Sequence, residues 1–236
     1  MNWVANNIGW IFHLTWVHFL LASSAILISL FISVPVGWLV NRHRLSREVT
    51  VALISALYAI PSLPMFIIIP VLTGVPIRSS ATVVIVLSIY AVALLQRTAV
   101  NAFGSVPPEV MRSAVALGYS SWQRFWRVEL PLAGSVIAAG LRVVVVNTVS
   151  LVTVGAVVGI QSIGTLFTDG FQRGIMVEVL AGLIMTIILA LLLDAVVVFG
   201  SRLVFPWTRT ELAKITPPGQ PTSQRSTAGA AKGEKR

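Results

Sequence analysis

The stretch Val17–Val40, VHFLLASSAILISLFISVPVGWLV, decides what kind of protein this is, because it contains no formally charged residue. About 20 mostly apolar residues are enough for a helix to cross roughly 30 Å of bilayer hydrocarbon. Four further apolar runs follow at Val49–Leu72, Ala81–Leu95, Leu132–Ile160 and Val177–Phe199. The sequence therefore predicts an all-α, polytopic membrane bundle of about five transmembrane helices.

The overall composition supports this prediction and excludes other classes. Of the 236 residues, 56% are apolar and 11% are charged, whereas a soluble domain has roughly 45–50% apolar and about 25% charged residues. The net charge of +9 does not indicate a nucleic-acid partner, because groove binding needs clustered cations on a soluble surface. The absence of cysteine excludes disulfides, zinc–thiolate sites and thiol catalysis.

The positions of the cations predict the orientation of the bundle, since loops on the cytoplasmic side carry an excess of Lys and Arg. The outer loops contain only Arg78 and Arg173. The predicted inner side holds three cations after the first span, four around the connection between spans three and four, and seven after span five: Arg42, Arg44, Arg47; Arg97, Arg112, Arg124, Arg127; Arg202, Arg209, Lys214, Arg225, Lys232, Lys235 and Arg236. With five spans, the N-terminus is expected outside and the C-terminus inside.

Two segments flank the predicted transmembrane domain, residues 17–206. Residues 1–16 contain Trp3, Trp10 and Trp16, which suit an interfacial segment, although a loose aromatic terminus is the alternative. We do not expect this segment to be a secretory signal, because it lacks a basic start and a cleavage site. Residues 207–236 are rich in Pro, Gly, Ser, Thr and Lys and are predicted to be a disordered, basic cytoplasmic tail. Its cations either contact anionic membrane lipid or are simply solvated.

The connection at residues 104–131 is long and patterned. Pro107 and Pro108 suit the first turn of a helix, and Gly118 stands where a helix needs a left-handed terminating residue. Ser120 and Gln123 then have the spacing of a capping box, which predicts the start of a second short helix. Pro131 is expected to end the segment before span four. In the first helix the apolar residues share one face and the polar residues the other: Val110, Met111, Ala114, Val115 and Leu117 against Glu109, Arg112 and Ser113.

Gly118 followed by Trp122–Pro131, WQRFWRVELP, resembles the EAA loop of ABC-importer permeases. In that family, two such helices fit a groove on the ATP-binding subunit. The similarity is greatest to permeases of the glycine betaine/carnitine/choline osmoprotectant type. Further stretches carry it in the same order: His18–Gly37, AIPSLP at residues 59–64, Tyr90–Arg97, Ala138–Arg142 and Gly155–Gly170.

The resemblance implies a set of residues that couple the chain to the ATPase. They are Glu109, Arg112, Ser113, Ala114, Gly118, Trp122, Gln123, Arg124, Arg127 and Pro131. The three positions that name the loop fall on Arg112, Ser113 and Ala114, so a cation replaces the usual acidic residue. This departure suggests pairing with a second, non-identical permease. The alternative is an ordinary amphipathic connection with a solvated basic face.

A second set of residues is predicted to line or gate the translocation path, because prolines and polar groups inside spans often mark transport sites. The set is Pro61, Pro64, Tyr90, Arg142, Asn147, Thr148, Gly159, Gly164 and Asp194. The alternatives are static kinks at the prolines, packing for Tyr90, and an Arg142 that snorkels toward the cytoplasm or pairs with Asp194. By resemblance, the stretch 159–174 forms an outer gate and helps to dock a binding protein; a plain extracellular loop is the alternative.

The resemblance implies a multi-pass permease in the bacterial plasma (inner) membrane that imports a small osmoprotectant such as glycine betaine, choline or carnitine. The sequence has no Walker-type phosphate-binding motif and no catalytic set of side chains, so we expect no enzymatic activity and no bound cofactor. The implied partners are an ATP-binding subunit, a second permease subunit (identical or not) and an extracytoplasmic substrate-binding protein. The alternatives are a permease for another solute, such as an amino acid, sulfonate or metal, and a passive channel or scaffold.

Overall fold

A computed structural model describes residues 2–206, and this part of the chain consists of helices joined by short turns, with no strand. Two short segments have other helical forms: a π-helical segment, Phe125–Glu129, and a 3-10 segment, Gly155–Val158. The α-helices are α1 (Asn2–Asn6), α2 (Ile8–Val40), α3 (Arg44–Ala59), α4 (Ser62–Thr73), α5 (Ser80–Gly104), α6 (Pro108–Ala116), α7 (Ser121–Arg124), α8 (Leu130–Val154), α9 (Gly164–Arg173) and α10 (Met176–Val204).

The apolar helices confirm the predicted number of about five. Four continuous helical stretches are long and apolar enough to span a membrane: α2, α5, Ser121–Val158 and α10. The fifth is the pair α3 and α4, which meet at an angle of 104°. The orientation in the membrane stays a prediction. We call the end of the bundle formed by α6 and the C-terminal ends of α2 and α5 the basic end, and the end that carries α9 the opposite end.

Helix α5 lies at the centre of the bundle, where it packs against α2, α3, α4 and α8. Small residues let the backbones approach, as is usual where helices pack in a membrane. A β-carbon added to Gly37 of α2 would lie 2.7 Å from Ala99 Cβ, and one added to Gly140 of α8 would lie 2.4 Å from Thr98. These contacts fix α2 and α8 closely against α5.

The predicted span Val49–Leu72 is broken near its middle. Helix α3 ends at Ala59, and Pro61 is the residue that caps α4. The break leaves the Ile60 carbonyl without a helical partner, and the Tyr90 hydroxyl of α5 donates to it at 2.5 Å. Such backbone groups must find a partner within the protein, because lipid offers none. Tyr90 is therefore the residue that fixes the bend to the centre of the bundle.

Only the first of the two predicted flanking segments lies within the described residues. Within residues 1–16, α1 ends at Asn6 and α2 already begins at Ile8, so most of the predicted interfacial segment is continuous with the first span. Trp3 and Trp10 pack edge to face, with ring centroids 6.4 Å apart. The location of residues 1–16 at the membrane interface stays a prediction. The predicted tail, residues 207–236, lies outside the described residues.

Candidate coupling surface and translocation path

The first helix of the predicted coupling segment is α6. Pro107 precedes it and Pro108 opens it, and Glu109 stands in its first turn, where a carboxylate opposes the positive end of the helix dipole. Gly118 has a φ of 79°, which confirms the predicted left-handed stop. The Tyr119 N–H donates to the Ala114 carbonyl at 3.1 Å, which completes the hydrogen bonding of the last turn.

The capping box is also confirmed. The Ser120 N–H donates to Gln123 Oε1 at 2.9 Å, and the Gln123 N–H donates to Ser120 Oγ at 3.3 Å. These reciprocal bonds satisfy two amide groups that the start of a helix leaves unpaired. The order helix, glycine, helix is therefore built by local signals that the sequence itself contains.

The structure corrects the prediction that Pro131 ends this segment. Helix α7 passes without a break through the π-helical segment into α8, and Pro131 lies in the first turn of α8. A proline removes the N–H that an α-helix uses and crowds the preceding turn. The wider π turn accommodates this, since the Leu130 N–H donates to the Phe125 carbonyl five residues back. Helix α7, the π-helical segment and α8 are consequently one continuous rod.

Five aromatic rings anchor this rod at the basic end. Phe125 is buried, with its ring centroid 4.8 Å from that of Trp38 in α2 and 6.1 Å from that of Phe103 in α5. Trp122 and Trp126 flank Phe125 at 5.7 Å and 5.1 Å. We call these five residues the aromatic joint. It ties the coupling segment to both of the helices that form the basic end.

The outward side of the coupling segment is open. Within α6, Ala114 is buried and Met111 is half-buried, but Val110 and Val115 are 38% and 53% exposed. Leu117, at the end of α6, is 77% exposed. The predicted apolar face of α6 is thus only partly used by this chain.

Polar residues predicted to contact the ATPase adjoin this open face. Arg112 and Arg127 are exposed, as are Glu109, Ser113 and Gln123. Within residues 2–206, Arg112 makes no ion pair with Glu109, so its charge is not neutralised one turn away. Arg124 is half-buried beside Glu129 at a cavity of about 290 Å³ beneath α6. The residues predicted to couple therefore lie on one segment, with most of them accessible to a partner.

The predicted path residues fall into local groups. Arg142 of α8 and Asp194 of α10 form a bidentate ion pair, with Nε to Oδ1 at 2.7 Å and Nη2 to Oδ2 at 2.8 Å, which confirms the pairing alternative. Asn147 donates to the Val143 carbonyl of its own helix at 3.0 Å, and Thr148 is buried in the bundle. Pro61 and Tyr90 meet at the bend described above, while Pro64 lies in the first turn of α4.

The stretch 159–174 is not an irregular loop. Gly159 has a φ of 86° and ends the 3-10 segment, and α9 follows it. Gly164 lets α9 lie directly on α8, because an added β-carbon would be 2.3 Å from the Thr153 carbonyl oxygen. A short amphipathic helix thus covers the opposite end of the bundle.

Sequence reasoning missed several buried polar residues, of which His18 and Glu178 are ionisable. In the sequence His18 has no metal-ligand spacing and no neighbouring carboxylate, whereas in the structure its Nε2 donates to the Val149 carbonyl at 3.0 Å and links α2 to α8. Glu178 is fully buried under α9, with its nearest cation, Arg173, 4.0 Å away. Neither residue stands at a spacing that indicates its role, so only the three-dimensional packing identifies that role. Within residues 2–206, no cluster of side chains has the composition of a metal site.

These features define a class of protein: a multi-pass helical membrane protein with a coupling segment rigidly joined to one span. The profile of the family described as "Binding-protein-dependent transport system inner membrane component" matches residues 25–210. The chain belongs to this family. It is therefore a multi-pass inner-membrane permease component of the ABC transporter type.

Similar proteins agree with this assignment. The osmoprotectant import permease protein OsmW of Salmonella typhimurium is 29% identical over 82% of this chain and 91% of its own. The glycine betaine/carnitine/choline transport system permease protein OpuCD of Bacillus subtilis is 28% identical over 87% and 89%. The inward-facing MetNI methionine ABC transporter has a chain of the same fold, with a TM-score of 0.74, 20% identity and coverage of 83% and 96%.

Proposed function

We propose that this chain is the permease subunit of an ATP-driven importer that takes up a small osmoprotectant such as glycine betaine, choline or carnitine. A separate ATP-binding subunit hydrolyses ATP, so this chain is not itself an enzyme and binds no cofactor. A second permease subunit completes the membrane domain, and an extracytoplasmic binding protein delivers the substrate. The names of the relatives OsmW and OpuCD support the substrate class.

The observation that carries the proposal is the exposed, open side of α6 in the coupling segment. Val115 and Leu117 expose apolar surface close to the exposed cation Arg112 on the same helix, and Arg127 is exposed in the π-helical segment that follows. An amphipathic helix with free apolar anchors is suited to a hydrophobic groove on another protein. We assign this side to the ATP-binding subunit, with Arg112 contributing a charge contact in place of the usual acidic residue.

The continuous rod from α7 to α8 supports a way to transmit movement. Because α7 continues without a break into α8, displacement of the coupling segment by a closing ATPase moves α8 with it. The aromatic joint passes this movement to α2 and α5. Arg142 lies at the middle of α8, so this displacement reaches the centre of the span. ATP binding then favours one of two arrangements of the path, and hydrolysis restores the other.

The remaining predicted residues fit the same proposal. The bend at Pro61 and Pro64 and the polar groups on α8 contribute to the path between two permease subunits. Gly159 and Gly164 shape the outer gate, where α9 offers a surface to the binding protein.

The substrate class is tested by uptake into cells with and without the gene. Labelled glycine betaine, carnitine and choline are offered in hyperosmotic medium, with methionine as the unrelated solute. The proposal predicts that deletion abolishes high-affinity uptake of at least one quaternary amine and leaves methionine uptake unchanged. Loss of methionine uptake alone would replace the osmoprotectant assignment by another solute, and no loss at all would favour a channel or scaffold.

A further inference from the structure

The ion pair between Arg142 and Asp194 leaves much of its bonding capacity unused. A guanidinium has five N–H donors, and this pair uses one at Nε and one at Nη2. Within residues 2–206, the other N–H groups of Arg142 meet no acceptor. The side chain of Arg142 is 52% exposed and that of Asp194 is 19% exposed. The ion pair is therefore open on one side, where the guanidinium of Arg142 is exposed at the surface of the bundle.

The position of the pair is unusual for an open charge. Arg142 is the central residue of α8, and Asp194 lies in the second half of α10, so both are well inside apolar spans. Ionisable groups in a span face a protein interior or a wet cavity, because lipid cannot satisfy them. The open side of this pair is thus a surface that water or protein covers.

The neighbours of Arg142 on α8 match such a surface. The exposed residues at helical spacing around Arg142 include two serines and an alanine among apolar side chains: Leu132, Ser135, Ala139, Val143, Val146 and Ser150. The exposed face of α10 instead carries the large apolar side chains Leu191, Leu192 and Val196. The exposed face of α8 thus carries the hydroxyl groups of Ser135 and Ser150 on the side of Arg142, whereas Leu191, Leu192 and Val196 of α10 offer no polar group.

We propose that Arg142 and Asp194 form an intramembrane binding site for a zwitterion that carries both a carboxylate and a quaternary ammonium. This inference rests on the proposed function, because that function supplies the substrate class. The free N–H groups of Arg142 donate to the carboxylate, as guanidinium groups do in bidentate pairs. The quaternary ammonium has no hydrogen to donate, and it lies beside the Asp194 carboxylate.

The same geometry disfavours choline, which has a quaternary ammonium but no carboxylate. Choline leaves the open N–H groups of Arg142 without an anionic acceptor and places a second cation near the guanidinium. The site is neutral overall, since the pair already balances its own charges. Such a site holds its substrate weakly enough to release it, as a transport path requires.

The test measures binding of labelled glycine betaine and choline to the intact importer, permease with its ATPase, in nanodiscs without the binding protein. The wild type is expected to bind glycine betaine saturably, and choline at least tenfold more weakly. Arg142→Gln and Asp194→Asn are each expected to weaken glycine betaine binding at least tenfold. Val143→Ala, on the same face but uncharged, is the matched control and is expected to change binding less than twofold.

Several results would overturn the inference: equal binding of both compounds by the wild type, no saturable binding of glycine betaine, or unchanged binding in both charge variants. The comparison within the wild type needs no variant, so it decides even if a variant fails to assemble. Uptake by the complete importer with its binding protein is measured in parallel. Uptake of a quaternary amine with no such binding would refute the site alone, whereas no uptake of any would refute the proposed function.

Discussion

Two short amphipathic helices stand at the two ends of this bundle, and they are held in different ways. Helix α9, at the opposite end, is seated by glycines: a β-carbon on Gly164 would be 2.3 Å from a backbone oxygen, and one on Gly170 would be 2.8 Å from Val179. Helix α6, at the basic end, buries only Ala114 and leaves most of its apolar side chains exposed. Both helices are followed by a left-handed glycine, Gly174 and Gly118.

The difference shows which helix is completed by the chain and which is not. Interiors are close-packed, so a helix with no room for one methyl group has a fixed position. An exposed apolar face on a short helix, by contrast, lacks the packing that normally stabilises such a helix in water. Helix α9 therefore belongs to the bundle, while α6 is held by the buried Ala114 and by its connection to α7, and needs a partner to cover it.

The largest effect is expected from removing the anchor of the aromatic joint. Phe125→Ala deletes a buried ring between α2 and α5, and such substitutions cost about 3–5 kcal/mol. Phe199→Ala is the matched control, because Phe199 of α10 lies outside the joint and is 65% exposed, so its loss should cost less than ~1 kcal/mol of stability. The melting temperature of the purified importer in detergent measures both. Equal shifts for the two variants would contradict the anchoring role.

A smaller effect is expected at the seat of α9. Gly164→Ala forces a methyl group against the Thr153 carbonyl, and overpacking of this kind costs about 1–3 kcal/mol. Gly200→Ala has no atom within 4 Å of the added carbon, so it controls for the substitution itself. Thermal unfolding should be lowered only by the first. A Gly164→Ala protein as stable as Gly200→Ala would show that α9 is not firmly seated.

The smallest effect on stability is expected at Gly118. An added β-carbon meets nothing within 4 Å, so Gly118→Ala carries only the cost of a left-handed alanine, roughly 1 kcal/mol. Because this turn sets the direction of α7 relative to α6, ATP-driven uptake should fall more than the melting temperature does. Gly9→Ala, also without a contact within 4 Å, is the control. Full uptake by Gly118→Ala would mean that the angle between the two helices is unimportant.

The predictable parts of this structure are those with local signals. The charge-free run Val17–Val40 is enough to identify a span, and the capping box of Ser120 and Gln123 lies within four residues. The positive φ of Gly118 follows from its place after a short helix. Each of these features depends on neighbours in the sequence, so each could be derived before any contact was known.

The two prolines Pro61 and Pro131 show why the rest could not be derived. Both were expected to interrupt helices, but only Pro61 does. The chain turns by 104° near Pro61, whereas at Pro131 the helix continues into α8. The outcome depends on partners that are distant in the sequence. The Tyr90 hydroxyl stabilises the bend by donating to the Ile60 carbonyl, and the aromatic joint holds the turn before Pro131. Such partners are far away in the sequence and leave no pattern in it.

The central claim is that the open side of α6 is the surface for the ATP-binding subunit, whereas α9 is not. Co-purification of the ATPase with tagged permease tests it through two variants that place glutamate on exposed apolar positions. Val115→Glu/Leu117→Glu alters the basic end, and Phe171→Glu alters α9 at the opposite end, where Phe171 is 85% exposed. All three positions are exposed, so neither variant disturbs the bundle.

The account predicts that Val115→Glu/Leu117→Glu binds the ATPase at least about tenfold more weakly, which corresponds to ~1.4 kcal/mol, while Phe171→Glu binds it as the wild type does. Equal retention by both variants, in protein of unchanged melting temperature, would contradict the account.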